Sequence, residues 1–228
     1  MNSIVTEQVK RISTDRKRTN LLRVPEQAAI AFLCRVMPPF ISPDMLTFVS
    51  LLASGIIFYG FWLAKTDPFY FSLSIIGFAL QWFGDSLDGR IAYYRNIPRK
   101  WYGFALDMCM DWISTVLMGL GFYFYLPDTY KILAFLFLAC YAWIMILTLM
   151  KYKITGKYSI DSGLLGPTEL RVGICLILLA CMFYPGIFLF FAIAIVSIVT
   201  VIDFIEFKNV LNLGDERDRL DNGKEKLI

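Results

Sequence analysis

The chain has 228 residues, is 57% hydrophobic and 18% charged, and carries a net charge of +3. Its mean hydropathy of +0.59 is far too high for a soluble domain of this length, and so small a net charge predicts no nucleic-acid partner. The sequence contains no histidine, which excludes a Ser-His-Asp triad and a zinc site built on imidazole within this chain.

The beginning of the chain is polar and basic. Residues 1–23 are rich in lysine and arginine, and we predict that they form a cytosolic arm. Residues 24–37 are helical in character, with Pro25 near the start, but the run is too short and too mixed to cross a bilayer. This pattern predicts an amphipathic helix at the membrane interface, ended by the prolines within 38–43.

Long apolar runs follow, and each is about long enough to cross a bilayer. They predict transmembrane helices at residues 45–64, 69–93, 102–125 and 132–150. A further uncharged run covers residues 172–202. It could form one helix kinked at Pro185, or two helices that turn at 184–186.

The basic residues indicate the orientation of these helices. They collect in the N-terminal arm, at residues 90–100, at residues 151–157 and in the C-terminal tail, whereas only Lys65 and Lys131 occupy the opposite turns. The positive-inside rule therefore places both termini in the cytosol. Because this requires an even number of spans, the last run is predicted to hold two helices and the total is six.

We therefore predict an all-α fold, a polytopic membrane protein with six transmembrane helices and an N-terminal interfacial amphipathic helix. Its expected parts are a cytosolic arm and interfacial helix at residues 1–43, a six-helix transmembrane domain at residues 44–207 and a cytosolic tail at residues 208–228. The five cysteines lie in or beside apolar segments, so we expect them to pack as small hydrophobic side chains.

Four aspartates lie around the turn between the second and third predicted spans. Asp85 and Asp88 are three residues apart, so they share one face of a helix. Asp107 and Asp111 are four residues apart and share a face in the same way. Pro98 disfavours helix at the residue before it, and an antiparallel hairpin folded there brings the four carboxylates to matching depths near one membrane face.

Four converging carboxylates repel one another unless a cation joins them. Mg²⁺ and Mn²⁺ prefer oxygen ligands, and four carboxylates are enough for two ions, which indicates two-metal phosphoryl chemistry. A simpler interpretation is that the acids form ion pairs with the basic residues of a solvated loop. Those basic residues are Arg90, Arg95, Arg99 and Lys100.

This stretch resembles the signature of the CDP-alcohol phosphotransferases, also called CDP-alcohol phosphatidyltransferases, which are integral membrane enzymes of phospholipid synthesis. The signature reads D-x-x-D-G-x-x-A-R and, eight or nine residues later, G-x-x-x-D-x-x-x-D. The matching positions are Asp85, Asp88, Gly89, Ala92, Gly103, Asp107 and Asp111. One position departs, because Tyr93 stands where the family has arginine, and Arg90 or Arg95 could supply the missing cationic contact to the nucleotide.

The resemblance implies transfer of a substituted phosphate group from a CDP-linked donor to an alcohol, with release of CMP. It implies that two Mg²⁺ or Mn²⁺ ions are held by Asp85, Asp88, Asp107 and Asp111. It also implies that Asp111 is the general base that takes the proton of the alcohol.

The resemblance also extends to the nucleotide. The segment Ser-Pro-Asp-Met-Leu-Thr47 is similar to the Ser/Thr-Pro-Asn-x-x-Thr of the family. The small residues of the signature suit close approach to a flat nucleotide, although tight helix packing would also explain them. The expected nucleotide-binding positions are Thr47, Asp85, Gly89, Ala92, Tyr93 and Gly103.

A second polar cluster, Gly-Pro-Thr-Glu169-Leu-Arg171, opens the fifth predicted span and resembles a segment of some relatives. We expect Arg171 to bind phosphate, because guanidinium matches phosphate bidentately. Glu169, Lys151 and Lys157 are expected to contribute to the same phosphate or acceptor site, although the lysines could instead anchor lipid head groups.

The substrates stay open between two kinds of relative. We favour CDP-diacylglycerol with a small polar alcohol, and the alternative is CDP-choline or CDP-ethanolamine with diacylglycerol. Acidic residues within membrane helices could also indicate a different class of protein, a cation-coupled transporter. Transporters tend to place such acids at the midplane of the membrane, whereas here they lie at helix ends. We expect an integral membrane homodimer in contact with membrane lipids, in the inner or plasma membrane if the source is bacterial, with its active site facing the cytosol.

Overall fold

The computed structural model describes residues 22–156 and 166–225, and in these two stretches every regular element is a helix. The α-helices are α1 (Arg23–Val36), α2 (Pro43–Ala64), α3 (Phe71–Tyr94), α4 (Lys100–Tyr125), α5 (Ile132–Thr155), α6 (Pro167–Phe183) and α7 (Ile187–Glu225). Short 3₁₀ turns at Pro68–Tyr70 and Asp128–Tyr130 precede α3 and α5. The predicted all-α class is therefore confirmed, whereas most of the predicted N-terminal arm lies outside the described residues.

The helix boundaries follow from local chemistry. Ser42 caps α2, since its hydroxyl accepts a hydrogen bond from the Met45 amide at 3.2 Å, and Pro43 occupies the first turn of the helix. Gly156 ends α5 with a φ of +68°, a left-handed conformation that glycine adopts without steric cost.

Four helical segments among the described residues are long and apolar enough to cross a membrane. They are Pro43–Ala64, Lys100–Tyr125, Asp128–Thr155 and Ile187–Asn222. The chain is thus an integral membrane protein. Helix α3 has 24 residues but carries two aspartates and an arginine, and α6 has only 17 residues, so the six-span count stays a prediction for these two helices.

The uncharged run at 172–202 forms two helices, because α6 ends at Phe183 and α7 begins at Ile187. Pro185 lacks the amide hydrogen that a continuous helix would need there. Helix α7 then continues for 39 residues to Glu225, about 58 Å, which is nearly twice the hydrocarbon thickness of a bilayer. No helix end marks the predicted boundary at residue 207.

Helix α2 is the central element, since it packs against both α3 and α4 over most of its length. Helices α3 and α4 hardly contact each other. The chain does turn near Pro98 as predicted, but both helices pack on α2 and leave a gap between them.

The contact between α2 and α3 is close because small residues line it. A Cβ atom at Gly84 would lie 2.5 Å from the carbonyl oxygen of Leu46 and 2.8 Å from the amide nitrogen of Ser50. Polar groups pair within the same interface, where the Gln81 amide donates to the Ser54 hydroxyl at 3.0 Å. Small residues and side-chain hydrogen bonds are what hold helices together in lipid, where helix packing gains nothing from the hydrophobic effect.

The close approach at Gly84 gives a testable consequence. Gly84→Ala is expected to lower the free energy of unfolding by about 1–3 kcal/mol, because the added methyl group meets backbone atoms of α2 that cannot rotate away. Thermal unfolding of the purified protein in detergent measures the effect. Gly55→Ala is the matched control, since a Cβ atom there meets nothing within 4 Å, and equal stability of the two variants would contradict the assignment.

Candidate active site

Three of the predicted aspartates come together across the gap between α3 and α4. One carboxylate oxygen each from Asp85, Asp107 and Asp111 lies within 4.8 Å of the other two, and all three side chains are partly buried. Asp107 and Asp111 share one face of α4 as their spacing predicts. In the described part of the chain, no other three acidic or cysteine side chains lie this close together.

These residues fit a hard divalent cation. Two oxygens on opposite sides of one Mg²⁺ ion lie about 4 Å apart, so small side-chain rotations would bring the three carboxylates onto one ion. A donor set made only of carboxylate oxygens favours Mg²⁺ or Mn²⁺ over softer metals. Without a cation, three carboxylates this close in a partly buried position would repel one another strongly.

The fourth predicted ligand, Asp88, is held beside the other three. Its Oδ2 atom accepts a hydrogen bond from the Thr47 hydroxyl at 2.7 Å, and its Oδ1 atom accepts one from the Gly89 amide at 2.5 Å. It interacts electrostatically with Asp85 and Asp107 but does not belong to the group of three. The structure thus brings Thr47 to a carboxylate of the site, and a metal-ligand role for Asp88 stays a prediction.

Open space adjoins two of the small residues of the signature. A Cβ atom built at Gly89 or at Gly103 would meet no other atom within 4 Å. Gly103 lies one turn before Asp107 on the same face of α4, and Gly89 lies one turn after Asp85 on α3. Helix packing therefore explains neither glycine, and both border the gap beside the aspartates, whereas Ala92 is buried and does pack.

Arg171, on the first turn of α6, reaches the same site. Its guanidinium donates to Asp85 Oδ2 at 2.5 Å, with the two side chains 20% and 25% exposed. A half-buried ion pair of this kind places one permanent positive charge at the edge of the acidic group. The arginine predicted to bind phosphate therefore lies at the edge of the acidic group, and its phosphate-binding role stays a prediction.

The other residues predicted to bind phosphate or acceptor contact protein groups. Glu169 accepts hydrogen bonds from the Leu22 amide at 2.7 Å and the Gly166 amide at 2.9 Å. Lys151 lies 3.4 Å from Glu206 of α7. Their binding roles stay predictions, and Lys157 lies outside the described residues.

Two basic residues of the α3–α4 connection have partners other than the four aspartates. Both terminal nitrogens of Arg95 donate to backbone carbonyls of the loop between α1 and α2, the shortest being 2.5 Å to Ile41 and 2.8 Å to Pro38. Arg99 pairs with Asp44, and its guanidinium lies 4.1 Å from the centre of the Tyr102 ring. Because its guanidinium is already bound, Arg95 is a poor substitute for the family arginine that is replaced by Tyr93. Neither Arg95 nor Arg99 pairs with the four aspartates, so neither supports the interpretation of those aspartates as part of a loop of ion pairs.

Tyr141 and Thr115 form a wall of the site that the sequence did not indicate. The Thr115 hydroxyl is fully buried and donates to the backbone carbonyl of Asp111 at 2.8 Å. Tyr141, on α5, lies beside Thr115 and interacts electrostatically with Asp111, Asp85 and Arg171. Only the fold brings it there, since it is a single phenol in an otherwise apolar run.

Comparison with known proteins agrees with this geometry. A family model described as CDP-alcohol phosphatidyltransferase matches residues 40–202, which include the four aspartates, the two open glycines and Arg171. No match was found among curated proteins.

Metal binding tests the group of three directly. Asp107→Asn is expected to lower the affinity for Mn²⁺ at least about tenfold, because a neutral amide is a weaker ligand for a hard cation than a carboxylate. Titration calorimetry with Mn²⁺ alone measures this. Asp44→Asn is the control, since Asp44 pairs with Arg99 outside the group, and an equal loss in both variants would contradict the site.

Proposed function

This chain belongs to the CDP-alcohol phosphatidyltransferase family, and from that premise we propose that it transfers a substituted phosphate group from a CDP-linked donor to an alcohol and releases CMP. The family is a class of transferases that move phospholipid head groups from CDP-alcohols and generally use a divalent metal. The observation that carries the proposal is the meeting of Asp85, Asp107 and Asp111 at the gap between α3 and α4. Divalent metal bound there would neutralise the diphosphate and the leaving CMP oxygen.

The charges of the site suit a diphosphate. Four aspartates contribute a charge of −4, and two divalent ions would contribute +4, which leaves the charge of +1 on Arg171. That surplus would face the anionic donor. A guanidinium on the rigid first turn of a helix can donate two parallel hydrogen bonds to a phosphate group. We therefore propose that Arg171 binds the phosphate group of the donor that lies next to the acceptor alcohol.

The open glycines support a place for the cytidine. Gly89 and Gly103 offer backbone and empty space on opposite sides of the gap, which a flat ring could fill without displacing a side chain. Thr47 holds Asp88 in place at the same end of the site. Tyr93 is 39% exposed and carries no permanent charge, so the contact that the family's arginine would make falls to another donor here.

We assign the proton transfer to Asp111. In the reaction, the alcohol oxygen forms a bond to the phosphorus next to CMP, the bond from that phosphorus to the CMP oxygen breaks, and the alcohol proton passes to a carboxylate oxygen. Asp111 is the aspartate farthest along α4 from the α3–α4 turn, and Thr115 and Tyr141 lie beside it. The alternative is that Asp111 acts only as a metal ligand.

For the substrates, we favour CDP-diacylglycerol as the donor and a small polar alcohol as the acceptor, with CDP-choline or CDP-ethanolamine and diacylglycerol as the alternative pair. The proposed enzyme works as a homodimer, with its site and both termini facing the cytosol. The gap between α3 and α4 would let a lipid substrate enter sideways from the bilayer, because these two helices hardly touch.

Release of CMP tests the function. The purified protein with Mg²⁺ or Mn²⁺ is expected to release CMP from one of the CDP-linked donors when the matching alcohol is present, and a chelator is expected to stop the reaction. A matrix of donors and acceptors, read by CMP formation, identifies the substrates. Full activity in excess chelator would contradict the metal site, and no CMP from any pair would contradict the function.

Asp111→Asn separates chemistry from binding. At saturating Mn²⁺ the variant is expected to bind the CDP-linked donor within a few-fold of the unaltered protein but to lose turnover by roughly two to four orders of magnitude, the usual contribution of a general base, while its affinity for Mn²⁺ falls no further than that of Asp107→Asn. Titration calorimetry and CMP release measure the two properties. Outright loss of metal binding would instead make Asp111 a ligand first and leave the base unassigned.

A further inference from the structure

A buried junction joins α1 to the first turn of α6. The Thr168 hydroxyl donates to Glu26 Oε1 at 2.9 Å, and the Leu22 amide donates to Glu169 Oε1 at 2.7 Å. Glu26 is only 7% exposed, although it lies in the first turn of a short helix. A carboxylate is seldom buried so deeply unless its partners compensate for the lost hydration, so the contact is a specific one.

The same turn of α6 carries the arginine of the site. Arg171 lies three residues after Thr168, which puts the two side chains on one side of the helix. Glu169 also accepts from the Gly166 amide, so it binds the beginning of α6 and the beginning of α1 at once. Helix α6 packs directly against α3, the two hydrogen bonds tie its first turn to α1 as well, and Arg171 extends from there to Asp85.

Helix α1 is in turn fixed to the helix that carries Asp85. Ile30 and Cys34 of α1 pack with Leu87 and Ile91 of α3 in a small buried core. Helix α1 therefore connects both partners of the ion pair, Asp85 through α3 and Arg171 through α6. Side chains that lie on a rigid frame of this kind keep their relative positions within the narrow tolerance that a binding site needs.

We propose that Glu26 and Thr168 are positioning residues, through which α1 aims Arg171 at Asp85 and at the phosphate of the CDP-linked donor. Helix α1 is then part of the active-site scaffold as well as a segment at the membrane interface. The inference rests on the proposed function, because the aim of Arg171 affects a substrate only if that substrate carries the phosphate.

Thr168→Val and Thr168→Ser form a matched pair for the test. Valine keeps the shape of threonine but removes the donor to Glu26, whereas serine keeps the hydroxyl. Thr168→Val is expected to weaken binding of a CDP-linked donor about tenfold in the presence of Mn²⁺, the typical effect of losing a hydrogen bond to a charged group, and Thr168→Ser is expected to stay within about twofold. Titration calorimetry without acceptor measures the dissociation constant and needs no turnover.

A double-mutant cycle separates positioning from simple support of the fold. Arg171→Gln alone is expected to weaken donor binding at least as much as Thr168→Val. Adding Thr168→Val to Arg171→Gln is expected to change the dissociation constant no further, because the group that Thr168 positions is already gone. Glu26→Leu is expected to reproduce Thr168→Val, while Glu26→Gln, which keeps an acceptor oxygen, is expected to remain close to the unaltered protein.

Two results would overturn the inference. Unchanged donor binding in Thr168→Val would do so, as would effects of Thr168→Val and Arg171→Gln that multiply. A lower unfolding temperature in Thr168→Val with an unchanged dissociation constant would show a role in stability alone. If the unaltered protein neither binds a CDP-linked donor nor releases CMP, the proposed function fails and this inference fails with it. If the unaltered protein does both, a negative result with the variants contradicts only the positioning role of Glu26 and Thr168.

Discussion

The contact of α3 with α2 is the constraint on which the rest of the structure depends. Gly84 lets the two backbones touch, and this contact places Asp88 against Thr47 and carries Asp85 to its position in the site. Helix α4 also packs on α2 and hardly contacts α3, so the two acidic helices meet mainly through their aspartate side chains. Three carboxylates meet at the gap that results, and a Cβ atom at either Gly89 or Gly103 beside it would meet open space.

Electrostatics explains why more elements are needed than the two acidic helices. Carboxylates this close together are costly in a partly buried place, and α6 brings the arginine that offsets part of this cost. Near that arginine the Thr168 hydroxyl donates to Glu26 of α1, the contact that we propose positions the beginning of α6. Polar contacts thus join α1, the acidic helices and α6, and the aromatic cluster around Phe71, Phe122 and Phe188 fills the opposite end of the molecule.

Periodicity and apolar run length predicted most of the helices, because a membrane helix needs a long uncharged segment and a shared helix face needs spacings of three or four. They also predicted that aspartates of the two helices would converge, and three of the four do so. They could not predict that α3 and α4 pack on α2 and hardly on each other, since a turn at Pro98 determines direction but not which surfaces pack. The position of Tyr141 beside the site could not be predicted, because one phenol in an apolar run carries no periodic signal. The burial of Glu26 could not be predicted either, because an acidic residue in the first turn of a helix is usually solvated and interacts with the helix dipole. Nothing in the sequence indicated that Lys151 pairs with Glu206, because the two residues lie on different helices that only the fold brings together.

The polar character of α3 has a consequence for biosynthesis. Asp85, Asp88 and Arg90 keep this helix out of the group that is apolar enough to cross a membrane. Several of its polar side chains have partners on α2, where Gln81 meets Ser54, Ser74 donates to the carbonyl of Ile57 and Asp88 accepts from Thr47. A nascent α3 released into lipid alone would leave these groups unpaired, at a cost of several kcal/mol for each. We therefore expect α2 and α3 to leave the translocon as one hairpin, so that the earliest tertiary contact of the protein forms during synthesis.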